Sequence, residues 1–182
     1  MDLLTRVAMV LAPLLLLGSS ITDGGAAGLL QVVAMSLFIA VVVALVARIA
    51  DEAPRAAAAL LLVGCLGCTG GIGYGFNVIA ISHGFDLDLE SGAAVILKVT
   101  GISFPLTFIG LGLVMLKTRP APAAAAAAIA AGAALFPISR IGEIRPLMIT
   151  VDLLFLLGLG ATALFARNDQ ETVSVATNVR PG

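Results

Sequence analysis

Six long apolar runs separated by short charged breaks leave this chain few ways to fold. The runs cover about 4–22, 28–48, 56–81, 92–116, 120–139 and 146–166. A helix that crosses a bilayer needs roughly 17–25 mostly apolar residues, and each run meets that length. The breaks read "TDGGAAG", "RIADEAPR", "SHGFDLDLES", "KTRPAP" and "SRIGEIRP". Each joins charges to Gly or Pro, the residues that end helices and form turns. The pattern predicts an all-α, polytopic transmembrane bundle of six helices over residues 1–166. Residues 167–182, "RNDQETVSVATNVRPG", are polar and have no core pattern, which predicts a flexible cytoplasmic tail.

Composition excludes the soluble alternative. The chain is 60% hydrophobic and 12% charged, with a mean hydropathy of +1.12. Soluble domains have about 25% charged residues, and a soluble protein with this chain's composition could not cover its own core. The net charge is −1, and the sequence holds no basic patch to grip phosphates, so nucleic acid is not an expected partner. The lipid bilayer is.

The first run also has the look of a secretory signal, with a basic residue, a short apolar run and small residues after it. Asp2 in its charged region and the lack of a clean A-x-A site favour a retained helix. Orientation follows from the cations at the helix ends. An inside N-terminus puts Arg6, Arg48, Arg55, Lys117, Arg119, Arg167 and Arg180 in the cytoplasm. Only Arg140 and Arg145 then lie in outer loops, and Lys98 falls inside the fourth run. Both termini are therefore expected on the cytoplasmic side of the plasma membrane.

The third run contains "GCLGCTGGIGYGFN", Gly64 to Asn77. Its Cys65 and Cys68 have the C-x-x-C spacing of a redox pair or half a soft-metal site. No further cysteine completes such a site, and thiols deep in hydrocarbon are unreactive. Packing residues are the expected reading, with no metal and no cofactor. Gly64, Gly67, Gly71 and Gly75 recur so as to share one helix face, at about 100° per residue. In lipid, small residues let backbones approach closely, and that approach drives helix association. The glycine face therefore needs a partner helix, from this chain, a second copy or a partner membrane subunit.

Ionisable groups inside a span are costly and are functional candidates by default. Lys98 and Asp152 lie at the same estimated depth, about 9 Å from the outer helix ends at 1.5 Å per residue, which predicts an ion pair. Tyr74, Asn77 and Gln31 fall in the same outer layer. Pro105 frees the carbonyl of Gly101 in the fourth run, as in a kinked span. His83, Asp86, Asp88 and Glu90 form an acidic outer loop without the spacing of a calcium loop.

Catalysis has no support. The chain lacks G-x-S-x-G, H-E-x-x-H and P-loop motifs and has one histidine. The sequence leaves two functional classes. The first is a non-enzymatic membrane protein of helix-packing, assembly or accessory-subunit type. The second is a small-solute or ion transporter, or ligand-binding protein, with an outward-facing polar pocket around Lys98 and Asp152.

Overall fold

The computed structural model describes the backbone over residues 2–85 and 92–178, with side chains described except at 92–98 and 167–178. It is all-helical. The elements are α1 (Leu3–Ile21), α2 (Gly24–Ile49), α3 (Pro54–Ser82), α4 (Gly92–Thr118), α5 (Ala123–Ile141) and α6 (Arg145–Asn178). Each contains a stretch long and apolar enough to cross a membrane. Large apolar side chains such as Leu62, Leu66, Leu106, Leu113, Leu157 and Leu164 face outward all around the bundle.

Local chemistry sets the helix ends. Asp2 caps α1, its carboxylate accepting the Thr5 backbone N–H at 2.7 Å. That backbone hydrogen bond holds the Asp2 carboxyl below its ordinary value of 3.8. Pro54 stands in the first turn of α3, where its missing N–H is not needed. The α1–α2 and α5–α6 connections are short, and Glu143 turns the latter with a left-handed φ of 52°. Short connections force antiparallel neighbours. The helix α6 continues to Asn178, past the point where the sequence suggests a tail.

Each helix packs on the next, and α6 returns to α1, so the six form a closed ring in which α2 also touches α4. Phenylalanines fill its middle. Phe38 of α2, Phe104 and Phe108 of α4 and Phe155 of α6 are all buried. Their centroids lie 5.1 Å apart for Phe38–Phe104, 5.3 Å for Phe108–Phe155 and 6.1 Å for Phe38–Phe155. Such edge-on and tilted pairs are the favoured aromatic arrangements.

The glycine face of α3 serves two neighbouring helices, where the spacing alone suggests one partner helix. A Cβ at Gly64, Gly71 or Gly75 would strike Val42, Met35 or Val32 of α2. A Cβ at Gly67 or Gly70 would strike the α4 backbone at Ser103–Phe104 or Thr100–Gly101. Gly28 of α2 and Gly75 meet backbone to backbone, with a Cβ on Gly28 only 2.6 Å from the Gly75 carbonyl oxygen. Helix α3 is thus a wedge between two neighbours of its own chain. At about 100° per residue, Gly64, Gly71 and Gly75 stay within about 40°, whereas Gly67 and Gly70 lie about 60° and 120° round from Gly64.

Candidate functional site

The buried charge of the bundle sits where α1, α5 and α6 meet. Asp152, two turns into α6, is fully buried. Arg140, in the last turn of α5, donates from Nη2 to Asp152 Oδ1 at 3.0 Å and Oδ2 at 3.2 Å. Ser20 of α1 donates from Oγ to Oδ2 at 2.5 Å, and the same hydroxyl lies 3.2 Å from the Leu16 carbonyl. The carboxylate is therefore held by one cation and one hydroxyl from two different helices. A buried charge needs such partners, since an isolated one in a low-dielectric interior is prohibitively costly.

Arg140 reaches this position from near the helix end. Its side chain is 20% exposed, so the guanidinium spans from the bundle surface to the interior. It lies over the Phe136 ring, with Cζ 5.2 Å from the centroid, in the geometry of a cation–π contact. Its Nη1 approaches Met148 Sδ at 3.8 Å, and its Nε is buried with no hydrogen-bond partner. Arg145, the first residue of α6, crosses to the end of α1. It donates from Nε to the Ser20 carbonyl at 3.2 Å and from Nη2 to the Ile21 carbonyl at 2.7 Å. These are two of the carbonyls that a helix C-terminus leaves without intrahelical partners. A looser ion pair to Asp23, at 3.7 Å, completes the contact. Helix α6 therefore grips α1 twice, through Asp152 and through Arg145.

The residues singled out from the sequence divide into separate groups. The cation on Asp152 is Arg140, which the sequence reading placed in an outer loop together with Arg145; both belong to helices. The Lys98 side chain lies outside the described residues, so its expected pairing does too. The helix that carries it, α4, packs along α3 and α5 and touches α6 through Phe104 and Phe108 against Phe155. Gln31 is buried between α2 and α3, its Nε2 3.4 Å from the Gly71 carbonyl. Asn77 is 3% exposed, and its Oδ1 has no hydrogen-bond partner. Tyr74 points outward, 53% exposed. Gln31 and Asn77 thus belong to the α2–α3–α4 side and Asp152 to the α1–α5–α6 side, with the phenylalanine cluster between.

The remaining polar features are local. Thr107 bonds back to the Ser103 carbonyl at 2.8 Å, beside Pro105, which stands inside α4. Cys68 is buried and Cys65 half-buried, both as free thiols. His83 Nδ1 sits 2.9 Å from the Ile79 carbonyl, and Asp86, Asp88 and Glu90 lie outside the described residues. Among the described residues, no three His, Cys, Asp or Glu side chains group as metal ligands.

Nothing in the sequence singles out Ser20, because nothing in it says that the first helix touches the last. Arg140 left a weak signal, a long cationic side chain at the end of an apolar run, able to reach inward. Compared with protein-family models, with curated proteins and with solved structures, the chain matches none.

Proposed function

We propose that this chain is a six-pass plasma-membrane protein with both termini in the cytoplasm, non-enzymatic, and of helix-packing, assembly or accessory-subunit type. One observation carries the reading. The buried acid Asp152 is satisfied from within the chain, by Arg140 and Ser20, in a contact that joins three helices. A carboxylate so occupied acts as a clamp. The outward belt of leucines supports lipid as the surrounding medium, and the seven-to-two division of end cations supports the orientation.

A second reading keeps one observation of its own. The Asn77 carbonyl oxygen is buried without a partner, as expected of a group that meets water or a ligand. That supports the alternative of a small-solute or ion transporter, or ligand-binding protein, with an outward-facing polar pocket around Lys98 and Asp152, but only on its α3–α4 side, since Asp152 lies across the phenylalanine cluster.

Thiol labelling separates the two. In a Cys65→Ala, Cys68→Ala background, Ser139→Cys places a thiol at a buried position next to Arg140. Ile144→Cys, in the exposed α5–α6 turn, is the control. The clamp reading expects a membrane-impermeant maleimide added outside to label Ile144→Cys and spare Ser139→Cys. Equal labelling of both would mean a wet pocket at Asp152 and would favour transport.

A further inference from the structure

Arg55, Lys117 and Arg119 are brought together at one end of the bundle by the fold, although no stretch of the sequence is basic. Contacts between α3 and α4 fix the register. Gly70 meets Thr100 and Gly101, Gly67 meets Ser103 and Phe104, and Gly64 meets Thr107. Leu60 meets Gly110 one further step along. Each step back along α3 is matched by a step forward along α4, so Arg55 comes level with Met115 and Leu116, next to Lys117. Arg119 follows at once in the α4–α5 connection. Arg48, at the end of α2, donates from Nη2 to the Pro120 carbonyl at 2.5 Å and ties that connection to the bundle.

All three cations are exposed, and none makes an ion pair among the described residues. The nearest acids in sequence, Asp51 and Glu52, are exposed in the α2–α3 turn and precede Arg55. No acid lies in the α4–α5 connection beside Lys117 and Arg119. The opposite end is different. There Arg145 is paired with Asp23, Arg140 with Asp152, and Glu143 is exposed.

We infer that Arg55, Lys117 and Arg119 form a docking surface for the phosphates of anionic lipid headgroups. Their position supplies the occupant. They stand at the ends of helices long enough to cross a bilayer, where flexible basic stems extend along apolar surface and deliver charge to the headgroup layer. Cations there are drawn to anionic lipid, each adding to the attraction. The inference rests on membrane insertion and is independent of whether the Asp152 cluster is a clamp or a pocket.

The test uses the purified full chain in neutral detergent, with phosphatidylglycerol or phosphatidylcholine added and bound lipid counted by native mass spectrometry. Wild type should retain phosphatidylglycerol in preference to phosphatidylcholine. The triple variant Arg55→Gln, Lys117→Gln, Arg119→Gln should bind it about tenfold more weakly or worse, given three headgroup contacts. The charge-conserving Arg55→Lys, Lys117→Arg, Arg119→Lys should bind as wild type. If the triple variant does not fold, Lys117→Gln with Arg119→Gln carries the test. Undiminished binding by the Gln variants overturns the inference. So does loss in the charge-conserving variant, or displacement of the lipid by millimolar inorganic phosphate, which would mean a free-anion site.

Discussion

Removing Arg140 should harm this protein more than removing Asp152, and removing both should harm it less than removing Arg140 alone. In Arg140→Met, Asp152 loses two charge-assisted hydrogen bonds, at 3.0 and 3.2 Å, and keeps only the Ser20 hydroxyl. The carboxylate is fully buried and has no route to water by rotation. An orphaned buried charge costs on the order of 3–5 kcal/mol, reduced where the acid takes up a proton. In Asp152→Leu the orphan is Arg140, 20% exposed, whose long side chain turns outward and keeps its stacking on Phe136. That loss should be about 1–3 kcal/mol, the range for a broken hydrogen bond to a charged group. In the double variant no charge is stranded, and the Ser20 hydroxyl retains the Leu16 carbonyl as acceptor. The cycle should therefore give a coupling of about 1 kcal/mol or more. Reversible unfolding of the four proteins in mixed micelles, followed by circular dichroism, measures it. Additive losses, or an Asp152→Leu protein less stable than Arg140→Met, would refute the clamp.

Other outcomes follow from the packing. Gly67→Ala pushes a methyl into the Phe104 backbone and should destabilise by about 1–3 kcal/mol in the same assay. Gly101→Ala, with open space at its Cβ, should be neutral or stabilising by up to about 1 kcal/mol. Phe38→Ala opens the centre of the phenylalanine cluster and should lose about 3–5 kcal/mol. The Asp2 carboxyl, lowered by the Thr5 backbone N–H, stabilises the start of α1 above its ordinary value of 3.8. That contribution should fade as pH falls through the lower folded value. Hydrogen exchange at Thr5, compared between wild type and Asp2→Ala, should show protection disappearing on that acid side only.

What the sequence makes legible here is whatever depends on one helix at a time. Length and apolarity mark all six helices, and Gly or Pro with charge marks their ends to within a few residues, except that α6 runs on to Asn178. The glycines of α3 announce close packing because six of the twelve residues from Gly64 to Gly75 carry no side chain. Their division between α2 and α4 depends on angles that a four-residue spacing hides, since Gly70 is easily passed over beside Gly71. Pairing across helices is harder still. Lys98 and Asp152 are matched on estimated depth alone, and depth does not say which helices are neighbours around the ring. Arg140 sits near the end of α5 and reaches inward along the length of its side chain, so its position in the chain understates its depth. Ser20 becomes a partner only because α6 closes onto α1.

That closure is the centre of the account, and a cross-link tests it directly. Ser20 Oγ and Asp152 Oδ2 are 2.5 Å apart, so the two side chains meet directly across the α1–α6 seam and cysteines there would face each other. Ser20→Cys with Asp152→Cys, in a Cys65→Ala, Cys68→Ala background, would be oxidised in native membranes with copper phenanthroline. The expected result is rapid formation of an intramolecular disulfide, seen as a reducible mobility shift of the monomer. Persistence of two free thiols, or disulfide-linked dimers in place of the shifted monomer, would contradict a ring closed by α1 against α6.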